Sequence, residues 1–168
     1  MVGDVGAWAQ SAIIATPDGV TPPDRRTCGI YPVAMFDERP DIQERLGGEL
    51  VAWMTTVDAA GQPQTSPVWF LAEDDVIVVY SLDRTPRSRN IRSNARVCLN
   101  LNSTPSGGEV VIIEGLAQIV PDGPPANEDE RYVAKYEVPM ADLGMTPGSF
   151  AADYPLRIHI QPTRLRAS

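Results

Sequence analysis

Apolar and polar positions alternate most clearly through the middle of the chain. Glu49-Leu-Val-Ala-Trp-Met-Thr-Thr-Val57 and Gln64-Thr-Ser-Pro-Val-Trp-Phe-Leu71 are rich in β-branched and aromatic residues. They flank Asp58-Ala-Ala-Gly-Gln-Pro63, a short Gly-containing connection that predicts a hairpin. Glu73-Asp-Asp75 turns the chain into a third apolar run, Val76–Leu82. A fourth strand is predicted over Arg96–Asn102 and, after the Gly-rich turn Pro105-Ser-Gly-Gly108, a fifth over Glu109–Val120. Five strands at such spacing, mostly joined by short turns, predict a closed or partly closed antiparallel barrel. Pro67 lacks an N–H for a ladder, so its strand is read as an edge or as carrying a bulge.

Helical signals lie at the periphery. Ile42 and Leu46 sit four apart between Arg39 and Gly47-Gly48, which predicts one short helix. Asn127 with Glu130 resembles a capping box that starts a helix reaching Tyr136, and Val138–Leu143 and Pro147–Ala152 read as two further short turns. Tyr154-Pro-Leu-Arg-Ile-His-Ile-Gln161 alternates again as a returning strand, with Leu156, Ile158 and Ile160 on one face. Residues 1–34 carry turn chemistry such as Thr16-Pro-Asp-Gly19 without sustained periodicity, and are read as a peripheral N-terminal arm before a domain spanning 35–168. Met35 is also considered as the start of translation.

Charge changes the picture at one place. The 168-residue chain has a net charge of −8, yet Arg84-Thr-Pro-Arg-Ser-Arg-Asn-Ile-Arg-Ser-Asn-Ala-Arg96 holds five arginines and no acid. It lies between two predicted strands and reads as a short helix with Thr85 as N-cap and Pro86 at the first helical position. Backbone N–H groups at that start, with Arg87 and Arg89 beside them, suit a phosphate or similar small anion. The acidic balance argues against nucleic acid, which needs a basic face.

Other chemistry is sparse. His159 is the single histidine, Cys28 and Cys98 stand in no metal or redox spacing, and Cys98 reads as a small core residue, so no metal site is expected. No nucleophile elbow, P-loop or dinucleotide fingerprint occurs, and no acid–base pair can be named as catalytic. An enzyme of this kind lets a cofactor carry the chemistry. Without a signal peptide or a span-length apolar run, the expectation is a cytoplasmic protein away from membranes.

Several segments taken in order resemble a known family. These are Trp53-Met-Thr-Thr-Val-Asp-Ala-Ala-Gly-Gln-Pro63, Ser66-Pro-Val-Trp-Phe70, Tyr80-Ser81, Arg87-Ser-Arg-Asn-Ile-Arg-Ser-Asn-Ala-Arg-Val97 and Glu114-Gly-Leu-Ala117. Together, over residues 42–166, they resemble the pyridoxamine 5'-phosphate oxidase-like split β-barrel proteins, and more closely the deazaflavin (coenzyme F420)-dependent branch of actinobacteria. The resemblance implies a mainly β, six-stranded antiparallel split barrel with short peripheral helices. It also implies a homodimer with cofactor sites in clefts between the subunits. By position it puts the phosphate on Arg87, with Thr85 and Asn90 in the same segment, and lines the ring site with Ser66, Pro67, Val68, Trp69, Tyr80 and Ser81.

The function implied is an F420-dependent oxidoreductase passing a hydride from reduced deazaflavin to a conjugated small molecule, with water or Tyr80 as the proton source. The alternatives are an FMN-dependent oxidase or reductase of the same fold and a non-catalytic flavin or deazaflavin carrier. Arg157-Ile-His159 mimics the Arg-x-His substrate motif of true pyridoxamine-phosphate oxidases. With so little chain after it, the match is read as accidental.

Overall fold

The computed structural model describes Phe36, residues 39–73 and residues 76–168. The expected arm over 1–34 and the start at Met35 lie outside the described residues. Helix α1 (Pro40–Gly48) opens the described fold with Pro40 in its first turn, and buries Ile42 and Leu46 as their four-residue spacing requires.

Seven strands follow: β1 (Val51–Val57), β2 (Pro63–Trp69), β3 (Leu71–Ala72), β4 (Ile77–Ser81), β5 (Arg96–Asn100), β6 (Val111–Ile119) and β7 (Leu156–Ala167). They form one antiparallel sheet in the order β2-β1-β5-β6-β7-β4-β3, curled into a half-barrel. This is the expected split-barrel architecture with one strand more than the six predicted.

The extra strand arises at Phe70. The Tyr136 hydroxyl accepts the Phe70 N–H at 2.8 Å and donates to the Phe70 carbonyl at 2.7 Å. With both backbone groups taken by a side chain, Phe70 leaves the ladder, and the run expected to be continuous over Gln64–Leu71 breaks there. β2 stays paired with β1, while β3 pairs with β4 on the other margin of the sheet. Pro67 lies on β2, a margin strand, as its missing donor demands.

β4 is buried along its whole length because it lies between two apolar layers. Ile77 and Val79 face the interior of the curl with Ala52, Met54, Leu99, Ile113 and Ile158. Val78 and Tyr80 face a second cluster with Tyr132, Tyr136, Met140 and Phe150. Those last four belong to α3 (Glu130–Asp142) and α4 (Pro147–Asp153). α3 is one continuous helix rather than a helix and a separate turn. Pro139 stands near its C-terminal end, where little of the ladder remains to be broken. Its N-cap is Asp129, which accepts from the Tyr132 N–H, and not Asn127. Cys98 is half-buried with its thiol directed to Asn100 rather than in the core.

The second layer is fastened by Arg157 of β7, which is buried. Its guanidinium donates to Tyr80 Oη at 2.6 Å and to Asp129 Oδ2 at 3.1 Å, and pairs with Glu73 at 3.4 Å. Its Nε donates to His159 Nε2 at 2.9 Å, so His159 must be neutral at that nitrogen. Burial and the neighbouring Arg157 cation hold His159 below the usual imidazole range.

A depressed histidine has a definite consequence for stability. On acidification the unfolded chain takes up the proton first, so stability falls as pH drops from the unfolded value, about 6.5, toward the folded one. Urea unfolding between pH 7.5 and 5 should show this loss, and His159→Gln should shrink it. An unchanged pH slope in the variant would contradict the assignment.

Candidate functional site

The arginine-rich connection folds as α2 (Pro86–Ser93). Arg84 takes a left-handed conformation (φ 57°), which reverses the chain out of β4. Thr85 then caps the helix: its hydroxyl accepts the Ser88 N–H, and Ser88 Oγ accepts the Thr85 N–H. The cap uses donors that the sequence left for an anion, so Arg87 carries the anion-binding character through its own N–H and its guanidinium.

The Arg87 side chain crosses to the margin of the sheet. Nη2 donates to Ser66 Oγ at 2.6 Å and to the Pro67 carbonyl at 3.1 Å, and Nη1 to Ser81 Oγ at 3.4 Å. All these acceptors are neutral, and among the described residues no carboxylate pairs with Arg87. Its Nε is buried without a hydrogen-bond partner. Burial pushes the guanidinium pKa down, and the Tyr154 phenol partly offsets this. A cation placed among neutral oxygens and taken partly out of water is poised to accept an anion.

Two cavities meet at this arginine and share Pro67, Arg87 and Tyr154. One, of about 410 Å³, is walled mostly by hydroxyl- and amide-bearing residues, Thr56, Gln64, Thr65, Ser66, Ser81 and Thr85 among them. The other, of about 340 Å³, is mainly apolar: Val51, Val68, Trp69 and Tyr80 come from the sheet and Leu143, Met145 and Phe150 from the α3–α4 region. Trp69 stacks on both Tyr136 and Phe150, with ring centroids 4.7 and 5.4 Å away. A groove with a cation and hydroxyls at one end and aromatic walls at the other fits a phosphate-bearing planar ring.

Eight of the nine residues expected at the site line this groove: Ser66, Pro67, Val68, Trp69, Tyr80, Ser81, Thr85 and Arg87. Asn90 does not. It is buried and donates to Thr56 Oγ1 and Gln64 Oε1, which are themselves wall residues, so it braces the larger cavity from behind. Tyr80 presents its ring, but its hydroxyl donates to the Pro124 carbonyl and accepts from Arg157. Burial pushes its pKa up to about 12. Arg157 and His159 are tied to each other. Arg92 pairs with Asp83 on the surface.

Tyr154, Phe150 and the α3–α4 wall were not legible as site residues. The available signal was Thr146-Pro-Gly-Ser149, a capping box that starts a helix just before an aromatic and the final strand. Among the described residues no cluster of three or more His, Cys, Asp or Glu could hold a metal, and no helix is long and apolar enough to cross a membrane.

Residues 39–164 match the pyridoxamine 5'-phosphate oxidase family. The chain belongs to that family. Several solved structures share the fold. An F420 reductase is 25% identical, with a TM-score of 0.58 over 73% of this chain and 94% of that one. A putative pyridoxamine 5'-phosphate oxidase from Listeria innocua is 20% identical, with a TM-score of 0.54 over 76% and 95%. HutZ, the heme storage protein from Vibrio cholerae, is 17% identical, with a TM-score of 0.59 over 77% and 93%. No curated protein matches the chain. The same fold is thus shared by a reductase, a putative oxidase and a heme storage protein.

If Arg87 is placed for a ligand rather than for the fold, removing its charge should not weaken the empty protein. Arg87→Met is expected to keep the unfolding free energy within about 1 kcal/mol of the parent or to raise it, since replacing an uncompensated buried charge by an apolar chain is often neutral or stabilising. Urea denaturation reads this directly, and a loss beyond about 3 kcal/mol would make Arg87 a structural strut, because that exceeds what a hydrogen bond to a charged group contributes.

Proposed function

We propose that this protein is an oxidoreductase that holds coenzyme F420 in the groove and reduces a conjugated small molecule. The observation that carries this reading is Arg87, a cation without a carboxylate partner at the polar end of a groove whose other end is aromatic. Its likeness to an F420 reductase at 25% identity over nearly all of that chain supports the same reading.

Arg87, Ser66, Ser81 and Thr85 would hold the phosphate, and Pro67, Val68, Trp69 and Tyr80 would flank the ring. When bound, reduced deazaflavin supplies a hydride to the acceptor. The chain itself binds, orients and excludes water, which accounts for a groove without an acid–base pair. Arg89 is exposed and has no side-chain partner among the described residues. It suits the further negative charge of the F420 tail, which FMN lacks.

Fluorescence titration with oxidised F420 and, in parallel, with FMN tests this reading. F420 should bind at least about tenfold more tightly than FMN, a difference of roughly 1.4 kcal/mol. Tighter FMN binding would move the protein to the flavin alternative, and binding of neither would remove the cofactor role.

We further propose that two copies pair through the outer face of β1, β5 and β6. Trp53 and Leu116 project from that face, 44% and 47% exposed. Sedimentation should give twice the 18.3 kDa chain mass, and Leu116→Arg should shift it toward one chain. A monomer at micromolar concentration would contradict the pairing.

A further inference from the structure

Asn90 closes a chain of hydrogen bonds whose direction is set at its far end. Asp58, in the turn between β1 and β2, accepts the Ala60 and Gln62 N–H groups on Oδ1 and a Gln64 Nε2 hydrogen on Oδ2, the last at 3.2 Å. An ionised carboxylate only accepts, so Gln64 turns its amide nitrogen to Asp58 and its oxygen away. That oxygen receives a hydrogen from Asn90 Nδ2 at 3.1 Å, and the same nitrogen donates to Thr56 Oγ1 at 3.0 Å. The acid thus fixes the orientation of both amides. Asn90 and Thr56 are buried, so water competes little for the bond between them.

The chain ends at the larger cavity, which Thr56 and Gln64 line together with Arg87, Ser66 and Thr85. Thr56 Oγ1 already takes a hydrogen from Asn90, and among the described residues no acceptor takes its own. The hydroxyl is therefore left as a donor. Ser66 stands in the same way, its Oγ receiving a hydrogen from Arg87. The Gln64 oxygen, which would oppose an anion, is covered by Asn90. No carboxylate is among the residues lining this cavity. Such a wall offers hydrogens and withholds oxygens, which suits an anion.

We propose that Asn90 is a positioning residue for the anion: through the relay from Asp58 and Gln64 it holds the Thr56 hydroxyl as a hydrogen-bond donor to the coenzyme phosphate. This rests on the coenzyme reading above. Asp58 carries the wrong charge for an anion site, so its neutralisation should help binding by Coulomb's law and hurt it through the relay.

Fluorescence titration of the full-length protein with F420, and with Fo, the deazaflavin bearing its ribityl chain without the phosphate, separates the phosphate contact from the rest. Thr56→Val should bind F420 at least about tenfold more weakly than wild type, the scale of a hydrogen bond to a charged group, while Thr56→Ser stays within about threefold. Both should bind Fo within about twofold of wild type, which also shows that they are folded. Asp58→Asn keeps an oxygen for the turn but offers Gln64 an N–H, so both amides reverse and Asn90 takes the Thr56 hydrogen for itself. This variant should bind F420 at least about threefold more weakly, and should add nothing further in the Thr56→Val background. Equal F420 affinity in wild type and Thr56→Val would overturn the proposal, as would equal losses for F420 and Fo, which mark a merely structural role. Tighter F420 binding by Asp58→Asn would overturn the relay, since loss of the charge alone would explain it. Failure of wild type to bind F420 at all would overturn the coenzyme reading, and this inference with it.

Discussion

One uncompensated charge organises the site. Arg87 extends from the first turn of α2 to the opposite margin of the sheet, where it meets only neutral oxygens. The arrangement needs β2 at an edge, with the Pro67 carbonyl free to turn away from the ladder and accept the guanidinium. It also needs the Thr85 cap to fix where α2 begins. The fold thus holds a cation in reserve, and the binding free energy of an anion there includes relief of that desolvation.

The second layer serves the same end from the other side. α3 and α4 close over β4 and turn one side of the groove into an aromatic wall, and Arg157 with Asp129 ties their start to the sheet. A buried ion pair is weak support for stability in itself. Here it fixes geometry, because the same guanidinium holds the Tyr80 hydroxyl away from the groove and presents the ring. The two arginines have opposite electrostatic surroundings. Arg157 is matched by carboxylates, whereas Arg87 is matched by none among the described residues.

Much of this was legible in the sequence because the signals were local. The strands, the β1–β2 connection, the Thr85 cap and the position of Arg87 each follow from residues within a few places of one another. The break at Phe70 was not legible, since the hydroxyl that causes it belongs to Tyr136, 66 positions away. The bracing role of Asn90 was not legible for the same reason: its amide is spent on Thr56 and Gln64 across the fold. Tyr154 escaped notice because an aromatic beside a helix end reads as packing until the cavity it borders is seen.

A crystal structure of the protein with oxidised F420 tests the central claim most directly. The coenzyme phosphate should be hydrogen-bonded to the Arg87 guanidinium, with the deazaflavin ring against Pro67–Trp69. A phosphate bound away from Arg87, or a ring outside the groove between β2 and the α3–α4 wall, would contradict it.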